Sequence, residues 1–307
     1  LTKALQLNAG LSMARRGLVT TYVRLGRLDK AMALLPADLE RNDRDPGMLA
    51  LAGQVYMLHG DVDRAQRYFA RASRLDPKDP AKRTTLALAR MMGGQVDAAF
   101  GELEEIAASD TGTTADLALI SAHLRRRELD KALKAIDGLE KKQPDKPLAA
   151  NLRGRTLLAK QDIAGARRSF ERALVIDPMH FPAVASLAGL DMADKKPDDA
   201  RKRFDAVLAR DSKNGQALLA LAELAMRSGA SKDEVAKLIG NAVSANPTEV
   251  APRLLLIDFY LRNKDVKQAT SAAQDGVASL PESPELLDAL GRTQQAAGEF
   301  NQAIATF

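Results

Sequence analysis

The sequence predicts an all-α solenoid built from a repeat of about 34 residues, each repeat a pair of antiparallel helices. Three observations carry that prediction. A small residue recurs at Ala31, Ala65, Ala99, Ala132, Ala166, Ala200, Val235, Ala269 and Ala303, at intervals of 33 to 35 residues. A proline recurs in step with it, at Pro77, Pro144, Pro178, Pro247 and Pro281. Aromatic residues make up only 4% of the 307 residues and tryptophan is absent. A core of alanine, leucine, valine and methionine suits closely packed helices better than a β-sandwich.

Each part of the repeat has a physical reason. In the unit from Pro46 to Asp79, Gly53 stands at position 8, matched by Ala87, Gly154, Ala188 and Gly291. Together with Ala65 and Ala166 at position 20, these mark where the two helices approach too closely for a larger side chain. Gly26, Gly60, Gly94, Gly229 and Gly298 occupy position 15, where the first helix should end in a residue of positive φ. Asp29, Asp63, Asp97, Asp130, Asp198 and Asn301 follow at position 18 and are expected to cap the second helix. Phe69, Phe170, Phe204 and Phe307 should fill the hollow beside the next unit, with Ala72 and Ala173 one turn on. Pro77 and Pro178 then stop the second helix.

Registering the units yields one continuous array over residues 1–307, with eight full repeats over 12–283. Residues 1–11 read as the tail of a preceding second helix, and 284–307 as a partial ninth unit. Arrays of this kind normally end in polar capping units. Neither end has one and the chain opens at Leu1, so the sequence is expected to be a segment of a longer protein.

Composition narrows the function. Forty-five basic residues against 40 acidic ones make a mixed surface with a net charge of +5. A nucleic-acid binder would concentrate its cations in a stripe with aromatic stacking partners. The one tight cluster, Arg125-Arg126-Arg127, reads instead as a favourable helix C-terminus, so nucleic acid is not an expected partner. With no cysteine there is no disulfide, thiol nucleophile or cysteine metal site in this segment. No apolar run approaches the roughly 18 residues of a membrane span. His59, His123 and His180 lie far apart and read as exposed inter-helix residues. No zinc, phosphate-loop or nucleophile-elbow pattern is present, so no enzyme activity, metal or cofactor is expected.

The small–aromatic–Ala–Pro pattern at this period resembles the tetratricopeptide repeat (TPR), along the whole chain. The resemblance implies a right-handed superhelix whose first helices line a concave groove, chiefly through positions 2, 5, 9, 12 and 13. Carried over, those positions supply Gln54 and Asn151, a methionine set of Met57, Met91, Met92, Met192 and Met226, and an arginine set. The arginines are Arg24, Arg125, Arg155, Arg227, Arg262 and Arg292. Thioethers suit an adaptable surface, and guanidinium groups suit carboxylates or acidic sugars. A plainer reading stands beside this one, in which the methionines pad helix contacts and the arginines are solvated. The lysine–asparagine clamp of chaperone-tail receptors is missing, because Arg16 with Thr20, Ala50 with Gln54 and Asn151 with Arg155 do not supply it.

The C-terminal third is also similar to the TPR-repeat lipoproteins of the bacterial PEP-CTERM/exosortase system. The segments SANP before APRLLLIDFYLR, and LPESPELLDALGR, carry that similarity. It implies an interaction scaffold in the periplasm or at the outer membrane, supporting exopolysaccharide export or surface protein sorting. Its partners would be peptide segments or export machinery, with acidic polysaccharide as a further candidate. Membrane attachment would come only through a lipid anchor outside this segment. Two alternatives stay open: a cytosolic TPR adaptor, and the substrate-recruiting arm of a larger enzyme such as a glycosyltransferase.

Overall fold

The computed structural model describes Lys3, residues 12–35, Leu39 and residues 44–307. The expected helix tail over 1–11 lies outside the described residues apart from Lys3. The described residues form eighteen helices and no strand, in successive pairs. The pairs are α1 (Ser12–Arg24) with α2 (Leu28–Ala33), α3 (Pro46–His59) with α4 (Val62–Leu75), and α5 (Pro80–Met92) with α6 (Val96–Ser109). Next come α7 (Thr114–Arg125) with α8 (Leu129–Lys142), α9 (Pro147–Ala159) with α10 (Ile163–Ile176), and α11 (Phe181–Ala193) with α12 (Pro197–Leu208). The last are α13 (Gly215–Arg227) with α14 (Lys232–Ala245), α15 (Val250–Arg262) with α16 (Val266–Ser279), and α17 (Pro284–Ala296) with α18 (Phe300–Thr306).

These helices gather into two compact units, one of residues 1–145 and 155–162, the other of residues 146–154 and 163–307. Within each unit the second helix of a pair packs against the first helix of the next. First helices also meet one another directly: α1 with α3 and α5 with α7 in one unit, α11 with α13 and α15 with α17 in the other. Side-by-side first helices can present a shared surface.

The helix boundaries follow from local chemistry. Asp45 and Asp79 each stand before a proline, and each carboxylate accepts backbone N–H bonds from the opening turn, Asp45 from Gly47 and Met48, Asp79 from Ala81 and Lys82. The proline fits there because its missing N–H has no helical partner to lose. Pro77, Pro144, Pro178, Pro247 and Pro281 all fall two residues beyond the end of a second helix. All five position-15 glycines have positive φ, between 67° and 90°. The equivalent residues of the other units, Arg127, Gln161, Lys195 and Lys264, adopt the same left-handed conformation at 58–66° without being glycine. The turn therefore demands a geometry, and glycine is only its least strained answer.

The cap expectation needs correction. Asp61, not Asp63, caps α4, its carboxylate accepting from the Arg64 N–H at 3.0 Å. Asp29, Asp97, Asp130 and Asp198 lie in the first turn of their helices, two residues past caps that make no side-chain bond. Asn301 stands at the same point of α18. From there a carboxylate meets the partial positive charge of the open N–H groups instead of bonding one of them.

The core is small-residue packing. Ala31, Ala65, Ala99, Ala132, Ala166, Ala200 and Ala269 are all fully buried. Phe69 joins Ala65 to Leu86 and Ala89 of the following first helix, and its ring also lies against Gly53 of its own unit. Phe170 and Phe307 repeat that contact with Gly154 and Gly291. In these three units position 8 is glycine because an aromatic ring sits over it.

Candidate functional site

Two pockets form on the first helices, one in each unit. The pocket of the first unit, about 590 Å³, opens among α1, α3 and α5. Gln54, Met57 and Leu58 come to it from α3, Arg16 and Thr20 from α1, and Leu88 and Met92 from α5. Phe69 reaches its floor from α4. Arg16 pairs with Asp45 at 3.4 Å and its guanidinium lies over Gly47, at one end of the pocket.

The pocket of the second unit, about 500 Å³, opens among α11, α13 and α15. Ala185, Gly189 and Met192 line it from α11, and Leu219, Glu223 and Met226 from α13. Arg227 stands at its rim, bonded to Glu223 at 2.8 Å. A Cβ added to Gly189 would meet no atom within 4 Å, so the missing side chain leaves open space there. Both pockets are lined mainly by apolar groups with a few polar edges, the usual balance of a site for extended or helical peptide.

Each expected groove residue now has a place. Met57, Met92, Met192 and Met226 line the pockets, and Met57, Met192 and Met226 also pack against buried clusters. Met91 does not reach either pocket and packs against Ala87, Leu103 and Leu119, so the padding role holds for it. Asn151 is a correction. It is only 4% exposed and its Oδ1 has no hydrogen-bond partner, so it presents little to a groove.

Arg24, Arg125, Arg155 and Arg262 are exposed on their helices and line neither pocket. Arg292 is engaged by Asp258 at 3.3 Å and Asp288 at 3.0 Å. The two arginines with local carboxylate partners, Arg227 and Arg292, are already neutralised and would have to exchange partners to receive an acidic ligand.

The histidines split. His59 is exposed at the end of α3, as expected. His123 is buried at 4%, stacked on Phe100 with centroids 4.5 Å apart, and its Nδ1 lies 2.8 Å from Glu128 Oε2. Arg126 bonds the other Glu128 oxygen at 2.9 Å and sits 5.7 Å over the same Phe100 ring. The hydrogen bond from His123, and then that from Arg126, hold the Glu128 carboxyl down to about 2. His180 is half-buried with its Nε2 unpartnered, and burial pushes its pKa down. The surface reading fails for His123 because its ring packs on Phe100 of the preceding repeat, which sequence position alone does not reveal. Among the described residues no group of three or more His, Asp or Glu side chains is arranged to hold a metal ion. None of the described helices is long and apolar enough to cross a membrane.

No curated protein matches the chain significantly. Among solved structures it is similar to a tetratricopeptide repeat protein from Parabacteroides merdae ATCC 43184, at 16% identity over 82% of this chain and 100% of that one, TM-score 0.48. It is also similar to YrrB, a TPR protein with an unusual peptide-binding site, at 20% identity over 60% of this chain and 96% of that one, TM-score 0.40. A third likeness is to the human IFIT1 dimer with PPP-AAAA, at 18% identity over 91% of this chain and 67% of that one, TM-score 0.47. The sequence itself matches the tetratricopeptide repeat over residues 50–113, 117–179 and 190–238, more than half its length. With the repeated helix pairs and the position-15 turns, that match decides the matter: the chain belongs to the tetratricopeptide repeat family.

Proposed function

We propose that this chain is a non-catalytic interaction scaffold that holds peptide segments of partner proteins in its first-helix pockets. The observation that carries this reading is the convergence of positions 5, 9, 12 and 13 from successive first helices on one pocket in each unit. Their apolar lining accepts side chains such as leucine or phenylalanine, and their polar edges can bond a peptide backbone. The finer reading places the protein in the bacterial envelope as a lipoprotein, supporting exopolysaccharide export or exosortase-linked sorting. The similarity of LPESPELLDALGR and its neighbouring segments supports it.

Two experiments test these levels separately. Peptides selected by phage display on the native chain should bind it and lose affinity about tenfold or more with Gly189→Leu, which fills open space without a backbone clash. Unchanged affinity for every selected peptide in that variant and in Gln54→Trp would remove the pockets as the site. Fractionation of the full-length protein, with a test for lipid modification, addresses location. A membrane-bound lipoprotein supports the envelope role, and a soluble unmodified cytosolic protein leaves a general adaptor.

A further inference from the structure

A third pocket differs in chemistry. It measures about 640 Å³ and opens among α10, α11 and α12, and none of its lining comes from repeat positions 2, 5, 9, 12 or 13. Leu174, Val184 and Val207 make its apolar floor, with Val184 and Val207 almost fully buried. Five cationic side chains face three carboxylates around it.

The charges are arranged in two tiers. Inside, the buried Asp191 carboxylate accepts from Arg167 Nη1 at 2.6 Å and from Arg203 Nε. Arg167 also donates to Asp194 at 2.9 Å. Arg203 bonds Asp191 through Nε alone, which leaves its two terminal nitrogens without a partner among the described residues. A guanidinium held in this way offers preset donors, with little rotamer entropy left to lose on binding. At the rim, Lys196 and Arg210 have no carboxylate within ion-pair distance, and Lys202 is paired only with the exposed Asp199 at 3.0 Å.

We propose that this pocket docks an acidic peptide segment of a partner protein, with one aliphatic side chain on the floor and flanking carboxylates on Arg203, Lys196 and Arg210. The uncompensated cations select carboxylates. The floor requires an apolar group, which a chain of acidic sugars supplies poorly. No aromatic ring lines the pocket, so it lacks the stacking surface that sugars and nucleobases use. The site is independent of the first-helix pockets.

The test is a fluorescence-anisotropy titration of the full chain with a fluorescein-labelled peptide Ser-Asp-Glu-Leu-Glu-Asp-Ser. Binding should weaken about tenfold or more in the Lys196→Glu/Arg210→Glu double variant and with a peptide carrying serine in place of leucine. It should also fall as salt rises. Both lysine and arginine are exposed and lie outside the Asp191 network, so the variant should fold, and its circular dichroism spectrum should match that of the native chain. Gly189→Leu should leave this binding unchanged. The proposal is overturned by any of four results: no anisotropy change, equal affinity in the double variant, tighter binding of labelled oligogalacturonate than of the peptide, or loss of binding in Gly189→Leu.

Discussion

A Cβ on Gly53 would stand 2.6 Å from Cε1 of Phe69, closer than such atoms approach in folded proteins. Alanine normally favours a helix over glycine by about 1 kcal/mol. Here the clash outweighs that gain, because the ring is itself packed against Leu86 and Ala89 and must leave those contacts to make room. Gly53→Ala should therefore destabilise the chain by about 1–3 kcal/mol, and Ala65→Leu by a similar amount. Adding Phe69→Leu to Gly53→Ala should recover part of the loss. Gly189→Ala, with open space around it, should instead raise stability by about 0.5–1 kcal/mol. Urea denaturation of the four variants checks the pattern, and a stabilising Gly53→Ala would refute the packing argument.

The turn after each first helix supports a second prediction. Lys195 and Lys264 hold φ near 60°, where a Cβ costs about 1–2 kcal/mol. Replacing either by glycine removes that cost but adds backbone entropy to the unfolded chain, so the net gain should be about 0.5–1 kcal/mol. Gly60→Ala should lose about 1 kcal/mol although nothing lies within 4 Å of its missing Cβ. Opposite signs at equivalent positions, read from thermal melting, separate backbone conformation from packing.

These turns also show what the sequence made legible. Period, helix pairing and the closing prolines could be read because each rests on chemistry within one unit. The cap at position 18 was misread because a carboxylate two residues inside a helix looks the same in sequence as one at its boundary. The family pattern put positions 5, 9, 12 and 13 on the first helices, where the two pockets lie. Asn151 and His123 were not legible, because their burial depends on how neighbouring helices pack. The α10–α12 pocket was invisible for the same reason: Arg167 and Arg203 meet Asp191 from different helices.

Glu128 should give the chain an acid-sensitive component of stability. Its carboxyl falls from an ordinary value of 4.5 to about 2 on folding, chiefly through the His123 bond and then Arg126. A depressed folded value means the contribution is fully present above pH 4.5 and is lost as pH falls through about 2. Glu128→Gln removes it. The stability difference between native chain and variant should shrink as pH falls between 4.5 and 2. A difference that grows on acidification would reverse the assigned sign.

Asp191 tests the ion-pair network from the other side. Burial, the largest single influence on it, pushes its carboxyl up, but the hydrogen bonds from Arg203 and Arg167 outweigh burial and hold it below 3.8. Asp191→Asn keeps the shape and removes the charge, leaving two guanidinium groups without their anion. Breaking a fully buried pair costs about 3–5 kcal/mol. Because both arginine side chains are about one-quarter exposed, water takes up part of the loss, and a cost of about 1–3 kcal/mol is expected. That cost should hold at neutral pH and diminish as pH falls below 3.8, where the unfolded chain's carboxylate takes up protons before the native one does. Arg167→Met/Arg203→Met/Asp191→Leu, which removes all three charges together, should be less destabilising than Asp191→Asn alone. If the triple variant proves the weaker fold, the network contributes to stability directly, and its charges are not merely a compensated set that holds α10, α11 and α12 in register.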